Sequence, residues 1–116
     1  MMIAGGAFDG KKISVSKRNK TINVKGLFKG LNSLTSRVNG LELRKLIEQE
    51  LKKNDTVTID FDGIELITQS FGDEVIGVIV REKGIDFVKN KIKVKNANDF
   101  IRGTLNWVVS YSKKMV

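Results

Sequence analysis

Two hydroxyl side chains, Thr68 and Ser70, lie between a β-branched run and an apolar run, where the sequence predicts that a helix begins. A serine at a helix start accepts a hydrogen bond from a backbone amide two or three residues on, and Asp73 lies at the capping-box spacing from Ser70. The same hydroxyl could instead carry a phosphate, which adds about −1.5 to −2 charges. Both interpretations of Ser70, a structural cap and a regulatory phosphoacceptor, stay open at the level of the sequence.

Negative charge added at Ser70 would meet several carboxylates that are close in the sequence. These are Asp62, Glu65, Asp73 and Glu74. We expect them to repel a phosphate, so that a partner surface fitted to the neutral hydroxyl loses affinity. Such an electrostatic switch needs no catalytic group on this chain.

Two further groups of charged residues are candidates for binding. Asp60 and Asp62 are two residues apart, which places both carboxylates on one face of a strand, and oxygen ligands of this kind suit magnesium. No phosphate-binding glycine loop accompanies them, so we predict no metal site there. Arg37 is expected to contact a partner or an anion, whereas Arg44 is expected to pair with a neighbouring acid or face solvent.

The composition excludes whole classes of chemistry. The 116 residues include no cysteine and no histidine, which removes disulfides, the usual zinc, iron and haem ligands, and the nucleophile systems that depend on histidine. No apolar run approaches the roughly 20 residues of a membrane span, and the N-terminus lacks the features of a secretory signal. We therefore predict a cytoplasmic protein, without contact to a membrane, that is not an enzyme and uses no cofactor.

Charge is distributed unevenly along the chain, whose formal net charge is +8. Residues 1–40 and 81–116 are strongly basic, whereas residues 41–80 are acidic. The basic flanks fit a nucleic acid or an acidic partner, and also a plain solvated surface. Four lysines alternate over residues 89–95, a pattern that is typical of a protected sheet edge and, less often, of a phosphate-binding stripe.

Hydrophobic spacing predicts the elements of the N-terminal half. The runs at residues 11–16 and 20–26 predict a β-hairpin. Residues 26–40 predict a connecting loop with a short helix or strand near Leu34. Apolar residues at helical spacing then predict a helix that begins at Asn39, with Glu42 in the capping-box position.

The C-terminal half predicts alternating strands and helices. Residues 56–61 predict a buried central strand, and a helix should run from Ser70 to a stop at Lys83-Gly84. Residues 90–96 predict a strand near a sheet edge. The last helix should begin at Asn96 or Asn98, with Trp107 and Tyr111 on one face. We expect core packing for these two side chains by default, with an interaction anchor as the alternative.

Short connections and right-handed crossovers make the later strands parallel. The predicted fold is α/β, a mixed sheet of about four strands with helices packed on it. The length of the chain fits one domain. We divide it into a hairpin or extension at residues 1–32 and a core at residues 33–112.

Residues 36–80 contain an ordered set of short motifs, in which "SR…G…LR" is followed by the strand "VTIDFDGI" and by "QSFGDEVIG". The distinctive residues are Ser36, Arg37, Gly40, Leu43 and Arg44, then Ser70, Phe71, Glu74 and Gly77. With these motifs, residues 36–80 resemble the STAS-like domain family of uncharacterised prokaryotic proteins. The resemblance covers about residues 33 to 112.

That family is similar to the STAS domain, whose members include anti-sigma factor antagonists. The resemblance implies a regulatory protein-interaction module in which a serine at the helix start is phosphorylated by a kinase-like partner, a GHKL-type ATPase. It places the phosphoacceptor at Ser70 and the partner-binding set at Thr68, Phe71, Glu74 and Arg37. The usual Asp-Ser-Ser-Gly turn of STAS domains is replaced here by residues 68–71. The alternative to this function is a basic protein associated with nucleic acid.

Overall fold

The computed structural model of the protein describes residues 17–114. Five strands lie along this part of the chain: β1 (Asn19–Asn23), β2 (Ser33–Leu34), β3 (Thr56–Asp60), β4 (Leu66–Ile67) and β5 (Ile92–Lys95). The main sheet has the order β1-β3-β5, and β2 pairs with β4 in a separate short ladder. Every strand pairing among the described residues is parallel.

Helical segments connect and cover the strands. They are α1 (Val24–Leu27), α2 (Arg37–Leu51), α3 (Gln69–Gly72), a π-helical segment (Asp73–Gly77), α4 (Val78–Lys83), α5 (Ile85–Lys91) and α6 (Asp99–Lys113). The π-helical segment joins α3 to α4 without a break, and in it the Val78 amide donates to the carbonyl of Asp73, five residues earlier. Gly84 ends α4 with a φ of +93°, a conformation that glycine adopts without a steric penalty.

The main sheet has one apolar face and one polar face. Val57 and Ile59 of β3 are fully buried on the apolar face, beneath the helices. Alternate residues point the other way and are half-buried or exposed. The polar sheet face consists of Asn19, Thr21, Asn23, Thr56, Thr58, Asp60, Lys93 and Lys95. Parallel sheets are usually covered on both faces, so a polar face that no described helix covers is unusual.

The predicted α/β class with helices packed on a sheet is confirmed, as are the central strand and the short strand at Leu34. Among the described residues the main sheet has three strands, all parallel, with β1 paired to β3 at one edge; the predicted hairpin and mixed sheet of about four strands stay predictions. The first arm of that hairpin, residues 11–16, lies outside the residues that the structure describes. Residues 24–27 at the end of the predicted strand form α1.

The predicted boundaries of one helix and one strand require correction. α2 is capped by Ser36 and not by Asn39, because the Ser36 hydroxyl accepts a hydrogen bond from the Asn39 amide at 3.0 Å. The predicted strand over residues 90–96 begins only at Ile92, since α5 occupies the preceding residues. Asn98 caps α6, as expected. None of the helices among residues 17–114 has the length and apolar character needed to cross a bilayer.

Candidate functional site

The two helices that build the candidate site begin side by side. β2 and β4 are parallel and in register, so the chain leaves both strands at the same end of the ladder. Ser36 then caps α2, and Thr68 caps α3. The Thr68 hydroxyl also ties the two helix starts together, because it donates to the carbonyl of Thr35 at 3.1 Å while it accepts from the Phe71 amide at 3.2 Å.

Ser70 is therefore not the residue that caps the helix. The capping role predicted for it belongs to Thr68, two residues earlier. Ser70 lies in the first turn of α3, where its side chain is half-buried and lines a surface groove. The interpretation of Ser70 as the helix cap is therefore wrong, and its hydroxyl has no capping role.

Arg37, at the first position of α2, reaches across to the π-helical segment. Its guanidinium nitrogen Nη1 lies 3.1 Å from Asp73 Oδ2 and 3.1 Å from Glu74 Oε2. These hydrogen bonds raise the pKa of Arg37, with Asp73 contributing most. The side chain remains 57% exposed, so it pairs with two acids and still presents a cationic surface to solvent.

Asp73 is held from two sides. Arg81 Nη1 lies 2.7 Å from Asp73 Oδ1, and Arg37 approaches the other carboxylate oxygen. The hydrogen bond from Arg81, followed by that from Arg37, lowers the pKa of Asp73 below its ordinary value, although partial burial opposes the shift. A carboxylate so strongly stabilised in its ionised form is a weak proton acceptor, so Asp73 suits binding better than general-base catalysis.

Arg81 is also held in place by a hydrogen bond to a buried hydroxyl. Arg81 Nη1 donates to Ser112 Oγ at 3.1 Å, and Ser112 on α6 is fully buried. Gly77 provides the space for this arrangement, because a Cβ at that position would lie 2.8 Å from Ser112 Oγ and would also collide with Asp73. The glycine of the π-helical segment therefore lets α6 and the Asp73–Arg81 pair come together.

Arg44 and Gly40 lock α2 against the same segment. Arg44 Nε donates to the carbonyl of Glu74 at 2.7 Å, and its Nη2 lies 3.4 Å from the Glu74 carboxylate. A Cβ at Gly40 would lie 2.7 Å from Glu74 Cβ and 2.8 Å from the carbonyl oxygen of Phe71. The expected pairing of Arg44 with an acid is confirmed, and Gly40 explains why the two helices approach so closely.

An open groove of about 430 Å³ runs between the start of α3 and α6. Its walls carry Arg37, Gln69, Ser70, Asp73, Arg81, Trp107, Val108 and Tyr111. The rings of Trp107 and Tyr111 are stacked, with centroids 5.3 Å apart and planes 4° from parallel. The two side chains are 49% and 51% exposed, so the expectation that they pack in the core is wrong.

The sequence of the chain agrees with a known family over a segment that contributes half of the groove residues. A family model described as a STAS-like domain of unknown function (DUF4325) matches residues 39–101. The chain belongs to this family. No curated protein and no solved structure is significantly similar to it.

The match of this STAS-like domain covers only part of the groove. Ser70, Asp73 and Arg81 lie within the matched residues. Arg37 precedes them, and Trp107 and Tyr111 follow them. The aromatic wall of the groove and Arg37 therefore come from outside the matched segment, whereas Arg81 comes from within it.

Of the five residues predicted for partner binding, four lie where they can contribute to the surface and one does not. Ser70 and Arg37 line the groove, while Thr68 and Glu74 are half-buried beside it. Phe71 is fully buried and packs edge-on against Phe28, with ring centroids 6.4 Å apart. The expectation that Phe71 faces a partner is therefore corrected: it belongs to the core beneath the site.

The acids near Ser70 also differ from the expectation. Of the four carboxylates thought to surround it, only Asp73 lines the groove. Glu74 is paired with Arg37 and Arg44. Asp62 and Glu65 lie in the connection between β3 and β4 and do not contribute to the groove walls.

The Asp60–Asp62 pair lies apart from the groove, at the end of β3. Asp60 Oδ1 accepts hydrogen bonds from the Asn96 side-chain amide and from the Asp62 backbone amide, each at 3.0 Å. These bonds lower the pKa of Asp60. Within residues 17–114, no cluster of three or more acidic side chains has the arrangement of a metal site.

The lysine row is divided between two elements. Lys89 and Lys91 belong to α5, and only Lys93 and Lys95 lie on β5. The predicted stripe of four charges on one strand face is therefore wrong, because α5 extends to the residue before β5. Lys93 Nζ folds back to donate to the carbonyl of Lys89 at 3.0 Å.

Two residues that shape the groove, Arg81 in its wall and Ser112 behind Arg81, were not predicted from the sequence. Arg81 follows Asp73 by eight residues, about two helical turns, which is a spacing that predicts proximity only if the helix runs unbroken between them. Ser112 gave no signal, because a serine near the end of an amphipathic helix is ordinarily exposed. Its burial is a consequence of the contact between α6 and the π-helical segment.

Proposed function

We propose that this STAS-like domain is a regulatory protein-interaction module that docks a protein partner in the groove around Ser70. The observation that carries the proposal is the shared position of the Ser70 hydroxyl, the exposed guanidinium of Arg37 and the stacked Trp107–Tyr111 pair along one groove. The proposal needs no catalysis by this chain and no cofactor.

The composition of the groove supports a protein as the partner. Tryptophan, tyrosine and arginine are the residues most enriched at the energetic centres of protein interfaces. Trp107 and Tyr111 hold each other in place through stacking, so little side-chain entropy is lost when a partner covers them. Arg37 is already oriented by Asp73 and Glu74. Little of its side-chain entropy is therefore lost when its guanidinium also contacts a partner.

Phosphorylation of Ser70 by a kinase-like partner, of the GHKL ATPase type, is the proposed switch. A phosphate there would add about −1.5 to −2 charges beside Asp73. It would repel that carboxylate and compete with it for Arg37 and Arg81. The ion pairs that shape the groove would then rearrange, and a partner fitted to the unmodified groove would be released.

The test compares two substitutions of the same serine. The partner is identified by photo-crosslinking from position 69, and its affinity is then measured with purified proteins by titration calorimetry. We expect Ser70→Ala to keep the partner and Ser70→Asp to lose it, with both variants unfolding at the same denaturant concentration as the unsubstituted protein. Gln49→Glu, which adds a single negative charge to an exposed position on α2, is the control and should keep the partner.

Two results would contradict the proposal. Equal affinity of Ser70→Asp and the unsubstituted protein would remove the switch. Equal affinity of a Trp107→Ala variant would remove the groove as the docking surface. If instead the chain shifts labelled DNA or RNA at low salt, with affinity falling steeply as salt rises, the alternative of a nucleic-acid-associated protein is favoured.

A further inference from the structure

β5 forms one edge of the main sheet among the described residues. It pairs with β3 on one side, through the register Ile92↔Val57 to Lys95↔Asp60. No other described strand pairs with its opposite side. An edge strand with unpaired backbone groups is a template on which a further strand can assemble.

The hydrogen bonds of β5 show which of its backbone groups face outward. The carbonyl of Lys95 accepts from the Phe61 amide at 3.0 Å, so the peptide groups of Lys95 face β3. In a parallel strand, consecutive residues direct their backbone groups to opposite sides. The amide and carbonyl of Val94 therefore point away from the sheet, where an added strand would meet them.

An apolar groove of about 150 Å³ lies beside this edge, on the helix-covered side of the sheet. It is lined by Ile92 and Val94 of β5, by Leu105 and Val109 of α6, and by Arg102 at its rim. Val94 and Val109 are only partly buried, so the groove wall is accessible. A side chain on an added strand that faces the helices would enter this groove.

The other face of β5 has the opposite character. Lys93 and Lys95 are exposed on the polar sheet face, opposite Thr58 and Asp60 of β3. Side chains of an added strand alternate between the two faces with a period of two. Those next to Lys93 and Lys95 would therefore be acidic, while their neighbours on the groove side would be apolar.

We propose that the β5 edge binds an extended peptide segment of a partner protein in which acidic and apolar residues alternate. The backbone of the segment pairs with Val94, its apolar side chains fill the groove between β5 and α6, and its carboxylates lie beside Lys93 and Lys95. The site is separate from the groove around Ser70 and does not depend on the function proposed for it.

The same charges argue against a second copy of this chain as the occupant. Two β5 strands paired edge to edge would bring the Lys93 and Lys95 side chains of both copies onto neighbouring positions. Like charges across a strand pair are destabilising. Lysines on an edge strand commonly prevent such self-pairing between sheets. Here they would also favour an acidic strand as the partner.

The test uses the full chain and fluorescein-labelled peptides, with binding followed by fluorescence anisotropy. The probe is a short peptide of alternating glutamate and valine, and its controls are alternating lysine–valine and glutamate–serine peptides. We expect only the glutamate–valine peptide to bind, and more weakly as salt rises, because the flanking charges are screened. Methylating the peptide amides that face β5 should abolish binding, whereas methylating the alternate amides should not.

A charge reversal sharpens the test. The double variant Lys93→Glu/Lys95→Glu should bind the glutamate–valine peptide on the order of tenfold more weakly and should gain binding of the lysine–valine peptide. The matched control, Lys45→Glu/Lys53→Glu, makes the same change of charge on α2 and in the turn that follows it, and should bind like the unsubstituted protein. Failure of the glutamate–valine peptide to bind, equal binding of the glutamate–serine peptide, or a dimer of the free chain in sedimentation would each overturn the proposal.

Discussion

The helix-start region, residues 35–44 with 68–81, and the polar sheet face differ in how their polar groups are held. In the helix-start region, Asp73 and Glu74 are fixed by three arginines, and two helices touch through Gly40. On the polar sheet face, half-buried side chains such as Thr58 stand on a regular ladder of parallel strands.

The difference lies in how many constraints each residue satisfies at once. Glu74 contributes a carboxylate to Arg37, a backbone carbonyl to Arg44 and a close contact with α2. Thr58 contributes one hydroxyl to one neighbour. We therefore expect substitutions in the helix-start region to change the free energy of unfolding strongly and substitutions on the polar sheet face to change it weakly. The residues of the polar sheet face can then be chosen to suit a binding partner with little loss of stability.

The largest effect is expected for Gly40→Ala. The added methyl group would collide with the carbonyl oxygen of Phe71, a backbone atom that moves only if α3 moves. Overpacking of this kind should lower the free energy of unfolding by about 3 kcal/mol. The measurement is urea denaturation followed by circular dichroism.

Gly103→Ala on α6 is the matched control for Gly40→Ala. Nothing lies within 4 Å of the position that its Cβ would take. Alanine is the better helix former, so this substitution should raise the free energy of unfolding by roughly 0.5–1 kcal/mol. Equal losses at the two glycines would mean that helix propensity, and not the contact with Phe71, determines the result at Gly40.

Asp73→Asn is expected to have the next largest effect. The substitution removes the charge that orients Arg37 and Arg81, and it should cost about 2 kcal/mol at neutral pH, as for hydrogen bonds to charged groups. Its pH dependence follows from the lowered pKa of Asp73 in the folded protein. Stability from such a group is present above the unfolded-state value of 3.8 and is lost as pH falls through the folded pKa.

The difference in stability between Asp73→Asn and the unsubstituted protein should therefore shrink as the pH is lowered below 3.8. Urea denaturation at a series of pH values measures it. Asp62→Asn, at an exposed position outside the groove, is the control and should cost little stability at neutral pH. A gap between Asp73→Asn and the unsubstituted protein that stays constant into acid would show that the carboxylate's charge is not what stabilises the region.

The variants Thr68→Ala and Ser70→Ala distinguish the roles of two hydroxyls that are only two residues apart in the sequence. Thr68 caps α3 and also contacts Thr35, so its loss should cost about 1 kcal/mol. Ser70 has no capping role, and its loss should change the free energy of unfolding by less than about 0.5 kcal/mol. Thermal denaturation of both variants measures the difference, and an equal loss at Ser70 would contradict the assignment of the cap.

The choice between these two hydroxyls shows where sequence reasoning ends. Local spacing predicted a helix start near residue 70 correctly. The pairing of β2 with β4 determines which hydroxyl caps this helix. In that pairing the Thr68 backbone amide donates a hydrogen bond to the carbonyl of Leu34. That contact joins residues 34 apart in the chain, and no local pattern contains it.

The aromatic pair on α6 illustrates the same boundary. The spacing of Trp107 and Tyr111 predicts that they share a helix face, and the stacked rings confirm it. The spacing does not say which face meets the core. That face is set by Ile101, Leu105 and Val108, which are buried and exclude the larger aromatic rings from the contact. The central strand β3, by contrast, was predictable because apolar and polar residues alternate within that one short segment.

The smallest effect is expected on the polar sheet face, for Thr58→Val. The side chains have the same shape, and the Thr58 hydroxyl shares its acceptor, Asn19 Oδ1, with Thr56. Asn19 Oδ1 therefore keeps the hydrogen bond from Thr56, and the free energy of unfolding should change by less than about 0.5 kcal/mol. The reverse substitution at the neighbouring residue, Val57→Thr, places a hydroxyl on the fully buried face and should cost about 2 kcal/mol. Urea denaturation of the pair compares the two sides of one strand directly, and similar losses from both would mean that the polar sheet face is as tightly constrained as the core.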